Sequence, residues 1–219
     1  MRNDRHRLRR AALAGSVAVV CALSLPALSG AAIIVVGALG KTARTAYPEP
    51  VDTAFWLTAG KGGAGAVMPA TGLVRLIRLR GCARRGAGGQ APLTQIHFQT
   101  LAPGAGGAVT VALTTAPLSV PVCGAGADPA TVTSFSPGNL CVRKGDYVAF
   151  NDEGGAGPGF PRGVRYEIFG PAPGADTDSF TGAGATNNGD TLTGTVHTGV
   201  RLLMAIELGT GHDAGVCRR

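Results

Sequence analysis

The chain has 219 residues, enough for one large domain or two small ones, with 35 glycines, 14 prolines and a formal charge of +7. The glycines follow no three-residue period, which excludes collagen. Residues 1–32 carry five arginines and one aspartate; beyond them 15 basic residues face 12 acidic ones, and that +3 excludes an electrostatic binder of nucleic acid.

The chain opens on "MRNDRHRLRR" and then runs without charge from Ala11 to Leu39. A basic head before an apolar run reads as a secretory signal peptide or an N-terminal membrane anchor over residues 1–39. Pro26 and the small residues of "ALSGAA" favour cleavage near Ala31 or Ala32, whereas "IIVVGAL" at 33–39 prolongs the apolar run past that point. If uncut, the segment would span a bilayer and keep its arginines cytoplasmic. Either way the remainder is expected outside the cytoplasm, extracellular or at the cell surface, touching membrane only through an uncleaved N-terminus. Arg9-Arg10 lacks the flanks of a twin-arginine signal, and Cys21, preceded by Val20, is read as inert. Residues 40–52, "GKTARTAYPEPVD", read as an extended linker, because Pro48 and Pro50 oppose regular structure.

From residue 53 onward the glycines fall in clumps between short β-branched or aromatic runs, which is turn punctuation between strands. The runs predict strands at 53–58, 73–80, 94–101, 108–115, 131–135, 140–143, 146–151, 164–169, 191–197 and 200–208. In "TQIHFQTL" Ile96 and Phe98 face one way while His97 and Gln99 face the other, the period of a strand buried on one side. His97 is therefore expected at the surface. About ten short strands predict an all-β domain over 53–219, an antiparallel β-sandwich of jelly-roll type. Arg75, Arg78, Arg80, Arg84 and Arg85 alternate with apolar residues and read as a solvated strand face.

Four cysteines follow the N-terminal segment: Cys82, Cys123, Cys141 and Cys217. An even count in an exported chain predicts two disulfides, with three pairings open. The favoured pairing is Cys123–Cys141, a short loop worth about 3 kcal/mol, with Cys82–Cys217 tying back the tail. No CxxC pair supports zinc.

"CVRKGDYVAFNDEGG" places Lys144-Gly145-Asp146 between two strands, a tight connection with Gly145 at positive φ. The segment resembles the V-x-x-GD-x-V/I stretch of β-sandwich domains, cupredoxins and carbohydrate-binding modules among them. Cupredoxin copper is excluded: Cys217 is followed only by two arginines, Met204 precedes it, and His197 and His212 are wrongly spaced. From about Gly72 to the end, through "PLTQIHFQTLAPG", "VTSFSPGNLCVRKGDYVAFNDEGG" and "ELGTGHDAGVC", the chain resembles exported β-sandwich proteins of high-GC Gram-positive bacteria. That resemblance implies fold and location and brings no catalytic residue.

Catalytic motifs are missing: the sequence has no GxSxG, HExxH or P-loop. Asp152, Glu153, Glu167 and Glu207 offer carboxylates for a hydrolase, but no spacing selects a pair. Asp213 beside His212 reads as a loop pair. Asn151, Asp152, Asp176 and Asp178 could offer oxygen ligands to Ca²⁺, the one metal the residues suggest. The same residue types are also what β-turns require, and that reading comes first. No other cofactor is expected. Trp56, the only tryptophan, with Tyr147, Asp152 and Glu153, forms the candidate ligand site. The sequence thus predicts an exported, non-catalytic module that binds a glycan or another cell-surface component. The alternatives are a structural or assembly protein of the envelope and, behind it, a carboxylate-dependent hydrolase.

Overall fold

The computed structural model describes residues 32–41, 43, 45–49, 53–59, 66–85, 91–92, 94–152, 164–181 and 187–217; for 45–49, 164–167 and 181 it describes the backbone alone. Its strands are β1 (Ile33–Gly37), β2 (Thr45–Glu49), β3 (Thr53–Ala59), β4 (Gly72–Arg80), β5 (Cys82–Arg84), β6 (Gln95–Pro103), β7 (Ala108–Thr114) and β8 (Leu118–Ser119). They continue as β9 (Val132–Phe135), β10 (Cys141–Val142), β11 (Tyr147–Asp152), β12 (Val164–Thr181), β13 (Thr191–Thr193), β14 (Thr195–Leu202) and β15 (Met204–Gly209), and one short helix follows, α1 (His212–Val216). Two antiparallel sheets form a sandwich, as the alternating runs predict. The smaller has the order β1-β15-β4-β10, with β9 also on β4; the larger runs β13-β7-β6-β11-β3-β12-β14 and curls into a half-barrel.

The main core lies between the sheets. Phe98 of β6 meets Phe135 of β9 with ring centroids 5.3 Å apart, and Phe55 meets Phe169 at 4.9 Å. Ile77, Leu79 and Leu208 of the smaller sheet are fully buried against them. These are the inward members of period-2 strands, and their burial supplies most of the folding drive.

Three stretches that the sequence reads as leader, linker and loop are strands. Residues 33–37, read as the end of the leader, form β1 and pair with β15 from Ile33↔Gly209 to Gly37↔Ala205. Four β-branched residues in a row suit a strand as well as a leader. Residues 45–49, read as linker, form β2 against the first half of β12. Pro48 is tolerated because β2 lies at an edge and needs no ladder donor there. "GPAPGADTDSFT", read as loop, continues β12 through an irregularity between Pro171 and Asp176, where Gly174 takes φ 80°. A bulge with a glycine at positive φ lets one long strand bend.

The disulfides are Cys82–Cys123 and Cys141–Cys217, with Cα separations of 5.1 and 5.4 Å, which corrects the expected pairing. The segment before Cys123 lies beside β5: the Ala83 N–H donates to the Pro121 carbonyl, and the Cys123 N–H to the Ala83 carbonyl. Cys123 therefore meets Cys82. Cys141 instead sits in the smaller sheet opposite Leu73, and α1 folds back onto the same end of β4, leaving the Cys217 Sγ 3.3 Å from the Gly72 carbonyl oxygen. Sequence proximity of Cys123 and Cys141 is overridden by their docking on different sheets. Two disulfides suit a chain that folds in an oxidising compartment. No helix among the described residues is long and apolar enough to cross a membrane.

Each disulfide closes a loop worth about 4 kcal/mol in the chain-entropy model. Peptide mapping without reduction is expected to recover the linked pairs Cys82–Cys123 and Cys141–Cys217. A Cys123–Cys141 peptide would refute this topology.

Candidate functional site

The central strands of the larger sheet, β6, β11 and β3, are buried on both faces, and this decides where the sequence-predicted residues stand. One row across it reads Gln99↔Ala149↔Trp56↔Asp178, and the next His97↔Asn151↔Ala54↔Phe180. Alternate residues share a face, so Trp56, Asn151 and Asp178 look away from the main core, with Tyr147 on the same side. That second face has its own apolar cluster of Ala54, Trp56, Leu101, Val109, Val111, Ala149 and Leu192, with Tyr147 and Phe180 packed against it.

Trp56 is 0 % exposed, which removes it as an open platform for a ligand. Its ring lies so near the chain at Gly194 that a Cβ there would stand 2.8 Å from the indole. Within the described residues the Trp56 indole N–H and the Asn151 amide N–H have no acceptor. His97, expected at the surface, is buried on this face, its Nδ1 2.6 Å from the Thr115 carbonyl oxygen. A carbonyl only accepts, so Nδ1 carries the proton.

Asp152 points the other way from Asn151 and is 1 % exposed; its Oδ1 accepts the Thr53 N–H at 2.6 Å, tying the end of β11 to the start of β3. The four proposed calcium ligands do not converge, because Asn151 and Asp152 diverge and β3 separates both from Asp176 and Asp178. Among the described residues no three His, Cys, Asp or Glu side chains gather as a metal site. Glu153 lies outside the described residues, as do the side chains of Tyr47, Tyr166 and Glu167.

Asp178 accepts the Thr58 hydroxyl at 3.2 Å. Burial pushes its carboxyl above the ordinary range, against the opposing pull of that hydrogen bond and of the His197 charge. The neighbouring Ser179 hydroxyl lies 2.7 Å from His197 Nε2. Ser179 pairs with Phe55 and thus projects from the opposite side of β12 to Asp178, so the three residues form no catalytic triad.

The part of the arginine run that lies on β4, Arg75, Arg78 and Arg80, is a partly exposed strand face whose side chains are partnered locally. Arg75 is bonded to Asp213 at 2.6 Å, Arg78 to Glu207 at 2.6 Å, and Arg80 donates to the Ala130 carbonyl. The Arg75 guanidinium holds the Asp213 carboxyl below its usual range. Asp213 is therefore the anchor of α1 on β4, and Glu207 a partner of Arg78.

An open cleft of about 300 Å³ lies at one end of the sandwich, where β6 and β7 meet the β10–β11 turn. Ala102 and Leu113 contribute apolar lining, with the Cys141–Cys217 bridge beside them. Thr100, Arg143 and Asp146 contribute the polar groups. The turn is held firmly: the Gly145 N–H donates to the Met68 carbonyl, and the Lys144 N–H to the Thr71 hydroxyl. Gly145 takes φ 97°, the left-handed conformation expected of it. Asp146 is buried and accepts the Arg143 N–H through Oδ2 at 2.7 Å. Burial raises its carboxyl pKa, opposed by that bond and by the Arg143 charge. Arg143, which lines the cleft, and its neighbour Lys144 are exposed. The arrangement can hold a polar or acidic group by hydrogen bonds and charge; it pairs no nucleophile with a base. Arg143 and Asp146 escape the sequence reading because turn residues carry no periodic signal, and only the fold brings β6 and the disulfide beside them. Comparison of the chain with protein-family models, curated proteins and solved structures gives no match.

Trp56→Ala is expected to lose about 3–5 kcal/mol of stability in urea unfolding, the cost of emptying a filled aromatic site. Stability equal to the parent would show that the ring does not hold the second cluster together. Asp146 and Asp178 bind protons more tightly folded than unfolded, so their contribution to stability falls as pH rises from the ordinary carboxylate value through the raised one. Asp178→Asn keeps an acceptor for Thr58; its melting temperature should exceed the parent's at pH 7, and the gain should vanish by about pH 3, below the ordinary carboxylate range. A gain that grew in acid would contradict the burial argument.

Proposed function

We propose that the chain is an exported, non-catalytic β-sandwich module that binds a glycan or another polar component of the cell surface. The observation that carries this reading is the cleft beside Arg143 and Asp146: concave, partly apolar, with a few convergent polar groups and one carboxyl of raised pKa. The basic N-terminal head, the apolar run and the two disulfides support export, as does the resemblance to exported β-sandwich proteins. Every Phe, Tyr and Trp whose side chain is described is buried or half-buried, so recognition rests on charge and hydrogen bonds instead of stacking. An assembly role in the envelope is the second reading, favoured by one observation: β1 is an uncharged edge strand with exposed apolar side chains.

The test is thermal melting of the disulfide-intact protein with EDTA, with Ca²⁺, and with panels of soluble acidic and neutral glycans. A rise with one glycan class that Arg143→Ala abolishes, without lowering the melting point in buffer, is expected. A flat response across the panel would overturn the cleft as a glycan site.

A further inference from the structure

We propose that β1 is an association edge through which two copies of this chain pair antiparallel about a twofold axis, joining their smaller sheets into one continuous sheet. On one side β1 is fully engaged with β15. On the other side no described strand pairs with it. The direction of its backbone groups follows from one bond: the Thr210 N–H donates to the Ala32 carbonyl. Ala32, and with it Ile34 and Val36, therefore turns its amide and carbonyl toward β15, and Ile33 and Val35 turn theirs to the open edge. The same two residues carry the exposed side chains, Ile33 at 57 % and Val35 at 61 %.

An open row of amides and carbonyls accepts only another extended strand. Natural edges block that with charge, proline, bulges or cover. β1 has no charge and no proline, and its register with β15 is unbroken. Nothing within β1 itself opposes a second copy. Centring the twofold on Val35 sets Val35 against Val35, Ile33 against Gly37 and Ile34 against Val36, so no charge faces its own copy. Val35 would then exchange both of its backbone bonds with its mate. Ile33 and Val35 of both copies would share one face and cover each other, removing apolar surface that each copy alone leaves in water. Because the contact is isologous it closes at two copies and does not propagate. No residue of this edge belongs to the Arg143 cleft, so the two proposals stand or fall separately.

The experiment is sedimentation velocity on the disulfide-intact protein, over a hundredfold range of concentration. The expected result is a species of twice the chain mass that Val35→Lys converts to the single mass, because two ammonium groups would meet at the axis, where the neighbouring carboxylate, Glu207 of β15, is already bonded to Arg78. Val35→Lys mixed with Val35→Asp should restore the double mass. Recovery of the double mass also shows that both variants fold. A single mass at every concentration, a double mass unchanged by Val35→Lys, or a ladder of larger species would each overturn the proposal.

Discussion

Phe55 and Trp56 are neighbours in the chain, lie on opposite faces of β3, and are both essentially removed from water, at 2 % and 0 % exposure. That single constraint shapes the molecule. A strand whose successive side chains are both large and both buried needs cover on two sides. The smaller sheet covers the Phe55 face, and the larger sheet covers the Trp56 face with its own ends by curling, so that Leu192 of β13 and Phe180 of β12 reach the same cluster. Gly194 marks how closely the curl comes, since a Cβ there would collide with the indole. The half-barrel is thus a consequence of packing around β3, and the bulge that bends β12 lets one strand pair with β2 and β5 along its first half and with β3 along its second.

Much of the fold is legible in the sequence for the same reason that it is stable. Strands such as β4, β6 and β11 alternate side chains, and their apolar members are the ones found in the core. What is not legible follows from cases where one signal has two physical readings. "IIVVG" satisfies a leader and a strand alike; Pro48 rules out a central strand and leaves an edge strand open. Gly174 reads as a turn yet makes a bulge. His97 is expected at the surface because period-2 alternation does not say what covers the second face. The cysteine pairing depends on which strand each cysteine docks against, a tertiary fact with no local trace. At the candidate site, Asn151 and Asp152 illustrate the limit most directly: adjacent acceptors that look like one cluster in the sequence point to opposite faces, one into a packed second core and the other onto the Thr53 amide.

Electrostatics explains why the exposed face of the smaller sheet is quiet while its edge is not. Arg75, Arg78 and Arg80 rise from β4, and each finds a partner within the molecule: a carboxylate on α1, a carboxylate on β15 and a carbonyl before β9. The arginine–carboxylate pairs are partly exposed, so each contributes little to stability, roughly 0–1 kcal/mol. Their effect is mainly geometric. They hold α1 across the end of β4 and leave few uncommitted charges on that face. Unshielded apolar residues remain at Ile33 and Val35 of β1, at Val132 of β9 and at Val216 of α1, and of these elements only β1 offers two, on a strand with no charge and an unbroken register.

The two features that reach outward are built from backbone more than from catalytic side chains. The cleft is shaped by a turn whose amides are bonded to Met68 and Thr71, and by a disulfide that brings the C-terminal helix to its wall. The edge strand offers amides and carbonyls in a row. Where polar side chains do cluster, they are occupied in holding strands together: Asp152 on Thr53, Asp178 on Thr58, Ser179 on His197 and Asp213 on Arg75. A carboxylate committed to a backbone amide or a guanidinium is a poor general base, because the interaction that orders it also stabilises its charged form. In Asp146, as in Asp178, burial outweighs the opposing hydrogen bond and charge and lifts the pKa. Asp146 stands at the cleft beside Arg143, so the two side chains can offer a ligand an acceptor and a positive charge together.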